Sequence, residues 1–228
     1  MDTQLLFYAL LTYLCFLPVL TFHEFAHAWV AWKCGDDTAK TLGRVSLNPI
    51  RHMELIGTVI LPLAAIYLQM SHSPLGGFII GWGKPVPVNP NNLRRPRLDD
   101  TLIALAGPGM NFLLAFALMF FVKIGVAGTG TEMEEIGSRL ATLAGMLVSI
   151  NLILAFFNLL PIPPLDGSHL LKNAINMSYE TYFRFAQMGI IIIILVLNFT
   201  PVRHLLGFLI KSSMDWLYRL YGVHPGLT

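Results

Sequence analysis

The chain has 228 residues, 55% of them hydrophobic and 12% charged, with a net charge of +2. Soluble domains carry about 25% charged residues, and a mean hydropathy of +0.63 belongs to an integral membrane protein. The near-neutral balance and the lack of a basic run interleaved with aromatics argue against a nucleic-acid partner.

The first apolar stretch, from about Leu5 to Trp32, predicts one retained helix. Asp2 is the only charge before it, so it lacks the basic start of a signal peptide. Such a helix would be about 42 Å long, more than a ~30 Å hydrocarbon core needs. Pro18 is a place for a kink. Cys15 and Cys34 would stand about 28 Å apart along it, too far for a disulfide. Residues 34–53 are polar and turn-rich, and "LGRVSLNPI" (42–50) alternates like a short strand. Apolar character returns over Leu55–Leu68.

The Gly- and Pro-rich stretch that follows, to about residue 100, cannot be a regular helix. Its middle, Leu75–Trp82, is nonetheless apolar. Such chain is tolerated at membrane depth only where protein covers it or it lines a cavity. Helices are predicted over Leu102–Val122, Ala141–Leu160 and Phe183–Phe199, with an acidic loop at Glu132, Glu134 and Glu135 between the first two. Leu205–Leu220 is weaker, because Lys211, Asp215 and Arg219 interrupt it. It spans the membrane or lies at the interface. The expected fold is an all-α polytopic membrane protein: one domain over residues 1–228, with about five to six transmembrane helices and short extended or re-entrant segments near its site.

"TFHEFAHAWVAWK" (21–33) places ionisable groups inside the first apolar run. Charged groups at membrane depth are expensive and mark function. On a helix, His23 and His27 share one face, one turn apart. That spacing suits two ligands of one zinc ion, and Glu24 lies beside the metal rather than on it. Catalytic zinc takes three protein ligands and keeps one open position. The best third candidate is Asp166, which follows a helix broken by Pro161, Pro163 and Pro164. Two alternatives stand beside it: Asp166 as the N-cap of a following helix, and His169 as the ligand. His52, His72, His204 and His224 read as ordinary surface histidines.

Three motifs in this order resemble the site-2 proteases, a family of intramembrane zinc metalloproteases. They are "HEFAH" (23–27), "AGPGMN" (106–111) and "NLLPIPPLDG" (158–167), and they lie within residues 23–167. The stretches "GRVSLNPIRHMELIGT" and "GWGKPVPVNP" are similar to the compact subgroup without PDZ or CBS domains. The C-terminal helices, about 183–220, match nothing further.

The resemblance implies one catalytic Zn²⁺ on His23, His27 and Asp166, with Glu24 as general base. It implies Asn158 as an oxyanion or substrate-backbone contact, and Asn111 and Gly107 as substrate contacts. Gly107 and Gly109 also suit close helix approach. The implied reaction is hydrolysis of peptide bonds in or near transmembrane segments of substrate proteins, as in regulated intramembrane proteolysis. A substrate helix has to unwind first, and residues 42–48 or 75–83 could pair with it as an added strand. A metal carrier, an inactive scaffold of the same fold and a protease with Glu180 as ligand fit the residues less well. Lys and Arg at residues 40, 44, 51, 84, 94, 95 and 97 place both intervening loops in the cytosol. The expectation is a multi-pass protein of a bacterial or archaeal cell membrane, with an outside N-terminus, a cytosolic-side zinc site and an outside loop at 124–138.

Overall fold

The computed structural model describes residues 3–71, 81–128 and 132–223. The chain divides into two compact units, Met1–Arg94 and Arg95–Thr228. Every described regular element is helical.

The first unit opens with α1 (Thr3–Lys33), a single 31-residue helix that runs through Pro18. Its second half carries the buried residues Leu20, His23, Glu24, His27 and Ala31, at the three- and four-residue spacing of one helix face. The chain then turns through α2 (Thr38–Thr41). The buried Asp36 is the hub of this turn. Its Oδ1 accepts from the Thr38 hydroxyl (2.5 Å) and from Asn92 Nδ2 (2.9 Å), and its Oδ2 accepts from the Asn89 amide (2.7 Å). Burial pushes the Asp36 carboxyl up, but these hydrogen bonds together outweigh it and hold the pKa below 3.8.

The strand expected at 42–48 is absent. Asn48 instead caps a 3₁₀ turn, Pro49–Arg51, by accepting from the Ile50 amide at 3.0 Å. Alternation alone makes no strand: the Asn-Pro pair offers the backbone a local turn. The apolar run at 55 begins as a widened π-helical turn, Leu55–Ile60, and continues as α3 (Leu61–Met70). Glu54 caps the Gly57 amide at 2.6 Å, while Thr58 Oγ1 accepts from the Glu54 amide at 3.0 Å. Tyr13 of α1 donates to the Thr58 carbonyl at 2.9 Å. Residues 81–89 are irregular chain. Of the extended segment expected at 75–83, residues 75–80 lie outside the described residues.

The second unit is built on a hairpin of α4 (Pro96–Ala127) and α5 (Glu134–Asn158). Both helices are longer than expected. Pro96 fits the first turn of α4, and Asp99 Oδ2 accepts the Arg95 amide at 2.7 Å. Glu134 and Glu135 suit the positive start of α5, and Glu135 pairs with Arg139 at 2.5 Å. Met119, Val122, Val148 and Leu152 form the core of the hairpin, and α9 (Val202–Tyr221) adds Leu217 to it.

The closest approach of α4 and α5 is at Gly125. A Cβ there would lie 2.5 Å from the Ala141 backbone nitrogen and 2.6 Å from the Gly137 carbonyl oxygen. Gly109, expected to serve this role, faces nothing within 4 Å.

After α5 the prolines turn the chain into α6 (Gly167–Ala174). The helix expected at 183–199 is two pieces, α7 (Tyr179–Gln187) and α8 (Gly189–Phe199), bent by 65°. The break has a packing reason: Gly189 sits where a Cβ would lie 2.2 Å from the Pro163 carbonyl oxygen.

Among the described residues, α1, α4 and α5 are each long and apolar enough to cross a membrane, and the bent α7–α8 pair makes a fourth. The stretch Leu55–Leu68 is shorter. Long apolar helices of this kind make the chain a membrane protein, with three to four spans rather than the five to six expected.

Candidate metal centre

The four-residue spacing on α1 brings His23 and His27 together as their sequence positions require. Their Nε2 atoms are 3.0 Å apart, with ring planes at 82°. The two rings are 3% and 7% exposed. Two nitrogens at 2.0–2.1 Å from one tetrahedral ion stand about 3.4 Å apart. This donor pair therefore fits zinc, for which imidazole is a preferred ligand.

Glu24, on the next position of the helix, is also buried. The chain at Gly83 passes close to it. A Cβ on Gly83 would lie 3.1 Å from Glu24 Oε1 and 3.2 Å from the His52 carbonyl oxygen. That approach is what the glycine allows.

What holds residues 82–85 there is a set of groups that sequence reading did not single out. The Lys84 amide donates to the His52 carbonyl at 2.7 Å, and the Trp82 amide to the Gly57 carbonyl at 3.1 Å. Thr58 Oγ1 donates to the Trp82 carbonyl at 2.8 Å. Arg44 is 4% exposed and donates to the carbonyls of Lys84 and Pro85. Burial lowers the Arg44 pKa, and the nearby Glu24 charge acts to raise it. An arginine within an alternating apolar stretch was the available signal. A buried guanidinium needs carbonyls and a countercharge, and it has both.

His52 is not a surface histidine. It is 1% exposed, and its Nε2 lies 2.6 Å from the Ser46 carbonyl, to which it donates. Its neighbours Arg44 and Ser46 belong to the same buried turn, which explains the burial. His204 is exposed, and His72 and His224 lie outside the described residues. Burial pulls the His52 pKa below 6.5; the Ser46 hydrogen bond opposes this, and the Arg44 charge adds to it. The unfolded chain then binds the proton more readily than the folded one. The His52 contribution to stability is complete above pH 6.5 and is lost as the pH falls towards the folded-state value. His52→Gln should flatten the fall of melting temperature below pH 6.5. An unchanged slope in that variant would refute the assignment.

The remaining expected site residues lie in the second unit. Asp166 immediately precedes α6, and its side chain makes no cap hydrogen bond to that helix. The N-cap alternative is therefore not realised. The rival His169 places Nδ1 at 3.0 Å from Asp100 Oδ1. Asn158 ends α5, with Nδ2 donating to the Leu154 carbonyl at 2.9 Å. Asn111 is fully buried, and its Nδ2 donates to Asn151 Oδ1 at 3.1 Å, linking α4 to α5. Gly107 is buried on the same helix.

Comparison with known proteins agrees with this chemistry. The model of peptidase family M50 matches residues 11–138 and 123–200. A Bacillus subtilis protein named "Putative zinc metalloprotease YwhC" is 35% identical over 217 residues, covering 93% of this chain and 92% of its own. The Rip2 protein of Mycobacterium tuberculosis, named in the same way, is 30% identical over 93% of this chain and 74% of its own. A Methanocaldococcus jannaschii relative, MJ0611, is 46% identical over 74 residues, 32% of this chain and 34% of its own. No solved structure matches the chain significantly. With most of its length matched, the chain belongs to peptidase family M50, the site-2 proteases that its motifs resemble.

Proposed function

We propose that this protein is an intramembrane zinc endopeptidase that cuts membrane-protein substrates within or near their transmembrane segments. The observation that carries the reading is the buried His23–His27 pair converging on one point of a membrane-length helix, with Glu24 beside it. The names of the relatives support zinc as the ion. When bound, zinc supplies Lewis acidity: it polarises the scissile carbonyl and makes water acidic enough to lose a proton near pH 7.

His23 and His27 hold the ion from α1, and Asp166 is the third ligand. Support for Asp166 is its residue type and its freedom from capping duty at α6. Glu24 takes the proton from water and returns it to the leaving amine. Asn158 has a second amide hydrogen beyond the one given to Leu154, and donates it to the developing oxyanion. Asn111 and Gly107 act from within the α4–α5 seam, Asn111 by fixing Asn151 and so the course of α5 towards Asn158.

The finer membrane reading belongs here too. Five to six spans follow if Leu55–Leu68 and α9 also enter the bilayer. The zinc site faces the cytosol, because loops 34–53 and 81–100 carry the Lys and Arg residues. An impermeant thiol reagent applied to intact cells should label a single cysteine placed at Thr131, which lies outside the described residues. The same reagent should spare one at Asn92, and the reverse pattern inverts the orientation.

The ligand assignment is tested on purified protein with zinc content and cleavage of a model transmembrane substrate. Asp166→Ala should lose most of its zinc and its activity together, while His169→Ala keeps its zinc. Full zinc retention in Asp166→Ala would remove it from the ligand set.

A further inference from the structure

Asp100, near the start of α4, is 9% exposed in its side chain and gathers three side chains from α6. Lys172 Nζ lies 2.9 Å from its Oδ2, and Lys172 is itself 3% exposed. His169 Nδ1 lies 3.0 Å from Oδ1, and Asn173 Nδ2 donates to Oδ2 at 2.7 Å. Asn173 also donates to the Arg97 carbonyl at 3.1 Å. The Lys172 ammonium lies over the ring of Tyr179, 4.5 Å from its centroid. One carboxylate thus fixes both turns of an eight-residue helix.

That helix begins at the residue after Asp166. Its first residue, Gly167, is wedged against the end of α5, where a Cβ would lie 2.1 Å from the Leu159 carbonyl oxygen. Asp166 is therefore held between two fixed points: a wedged glycine, and a helix tied to α4 by a buried charge pair. A buried ion pair is a poor choice for stability alone, since apolar residues of the same volume often do as well or better. What it adds is a single rotational and axial setting, because charge and hydrogen-bond partners must meet in one register.

We infer that Asp100, through Lys172 and Asn173, is a positioning residue for the Asp166 carboxylate and thereby sets the metal affinity of the enzyme. The inference rests on Asp166 being a zinc ligand. Groups that orient metal ligands change affinity by about 10–100-fold when lost.

The test separates position from stability. Asp100→Leu combined with Lys172→Met replaces the pair by apolar side chains and leaves no lone buried charge. Purified in detergent, this double variant should melt at or above the wild-type temperature. It should nevertheless bind zinc about 10–100-fold more weakly in competition with a chromogenic chelator. Asn173→Ala, which leaves the ion pair in place, should show a smaller loss of affinity in the same direction, and it decides the matter if the double variant does not fold. Wild-type zinc affinity in a folded double variant, or in Asn173→Ala if only that folds, overturns the inference. Asp166→Asn run alongside separates the two ideas. If it keeps zinc, the ligand reading itself fails. If it loses zinc while the double variant keeps it, only the positioning role fails.

Discussion

Glu24→Gln is expected to bind zinc as the wild type does and to cleave a transmembrane substrate about 10²–10⁴-fold more slowly, the usual worth of a general acid–base group. The substitution keeps the shape of the side chain and its place against Gly83, where the backbone approach leaves little room for anything else. It removes only the capacity to accept a proton. His23 and His27 keep their convergent nitrogens on α1, so the metal has no reason to leave. Zinc content by metal analysis and cleavage rate on the same preparation check this. Loss of zinc in step with activity would mean that Glu24 helps to hold the ion, and would end its assignment as the base.

Gly125→Val should be the most damaging single change in the second unit. Its side chain would push into backbone atoms of Gly137 and Ala141, which cannot rotate away as a side-chain tip can. Overpacking of this kind costs about 1–3 kcal/mol, and more where neighbours are rigid. The control is Gly109→Ala, on the same helix, where nothing lies within 4 Å. That change should be neutral, or stabilising by up to about 1 kcal/mol through helix propensity. Thermal unfolding in detergent distinguishes them. Equal melting temperatures would show that the seam between α4 and α5 is looser than the structure has it.

These two glycines show where the sequence was legible and where it was not. A small residue in an apolar helix signals close approach, but not which of several small residues makes it. "AGPGMN" drew attention to Gly107 and Gly109, while the contact lies more than four turns further on, at Gly125. The zinc helix was legible because its evidence is local: His23, Glu24 and His27 need only the helical period to meet. Asp166 was legible as chemistry, since prolines stop α5 just before a lone carboxylate.

Arg44, His52 and Asp100 were not legible, because their burial depends on partners 40 or more residues away or on a turn that reads as polar loop. The strand expected at 42–48 failed for a related reason. Alternation is a pattern of exposure, and here Arg44 faces inward for a charge and two carbonyls rather than for an apolar core. The single helix expected at 183–199 was misread because nothing local reveals that Gly189 must fit against Pro163.

The manner in which Arg44 holds its neighbours separates path from composition. Its guanidinium grips the carbonyl oxygens of Lys84 and Pro85, the Trp82 carbonyl is held by Thr58, and the Lys84 amide is held by His52. All of these are main-chain atoms, and main-chain atoms are the same for every residue type except for the missing proline hydrogen. The course of the chain past Glu24 is thus written in Arg44, His52 and Thr58, not in the side chain of Lys84, which is exposed. Related enzymes can alter the outward face of this segment residue by residue, and with it what the protease accepts, without re-engineering the wall on which it lies.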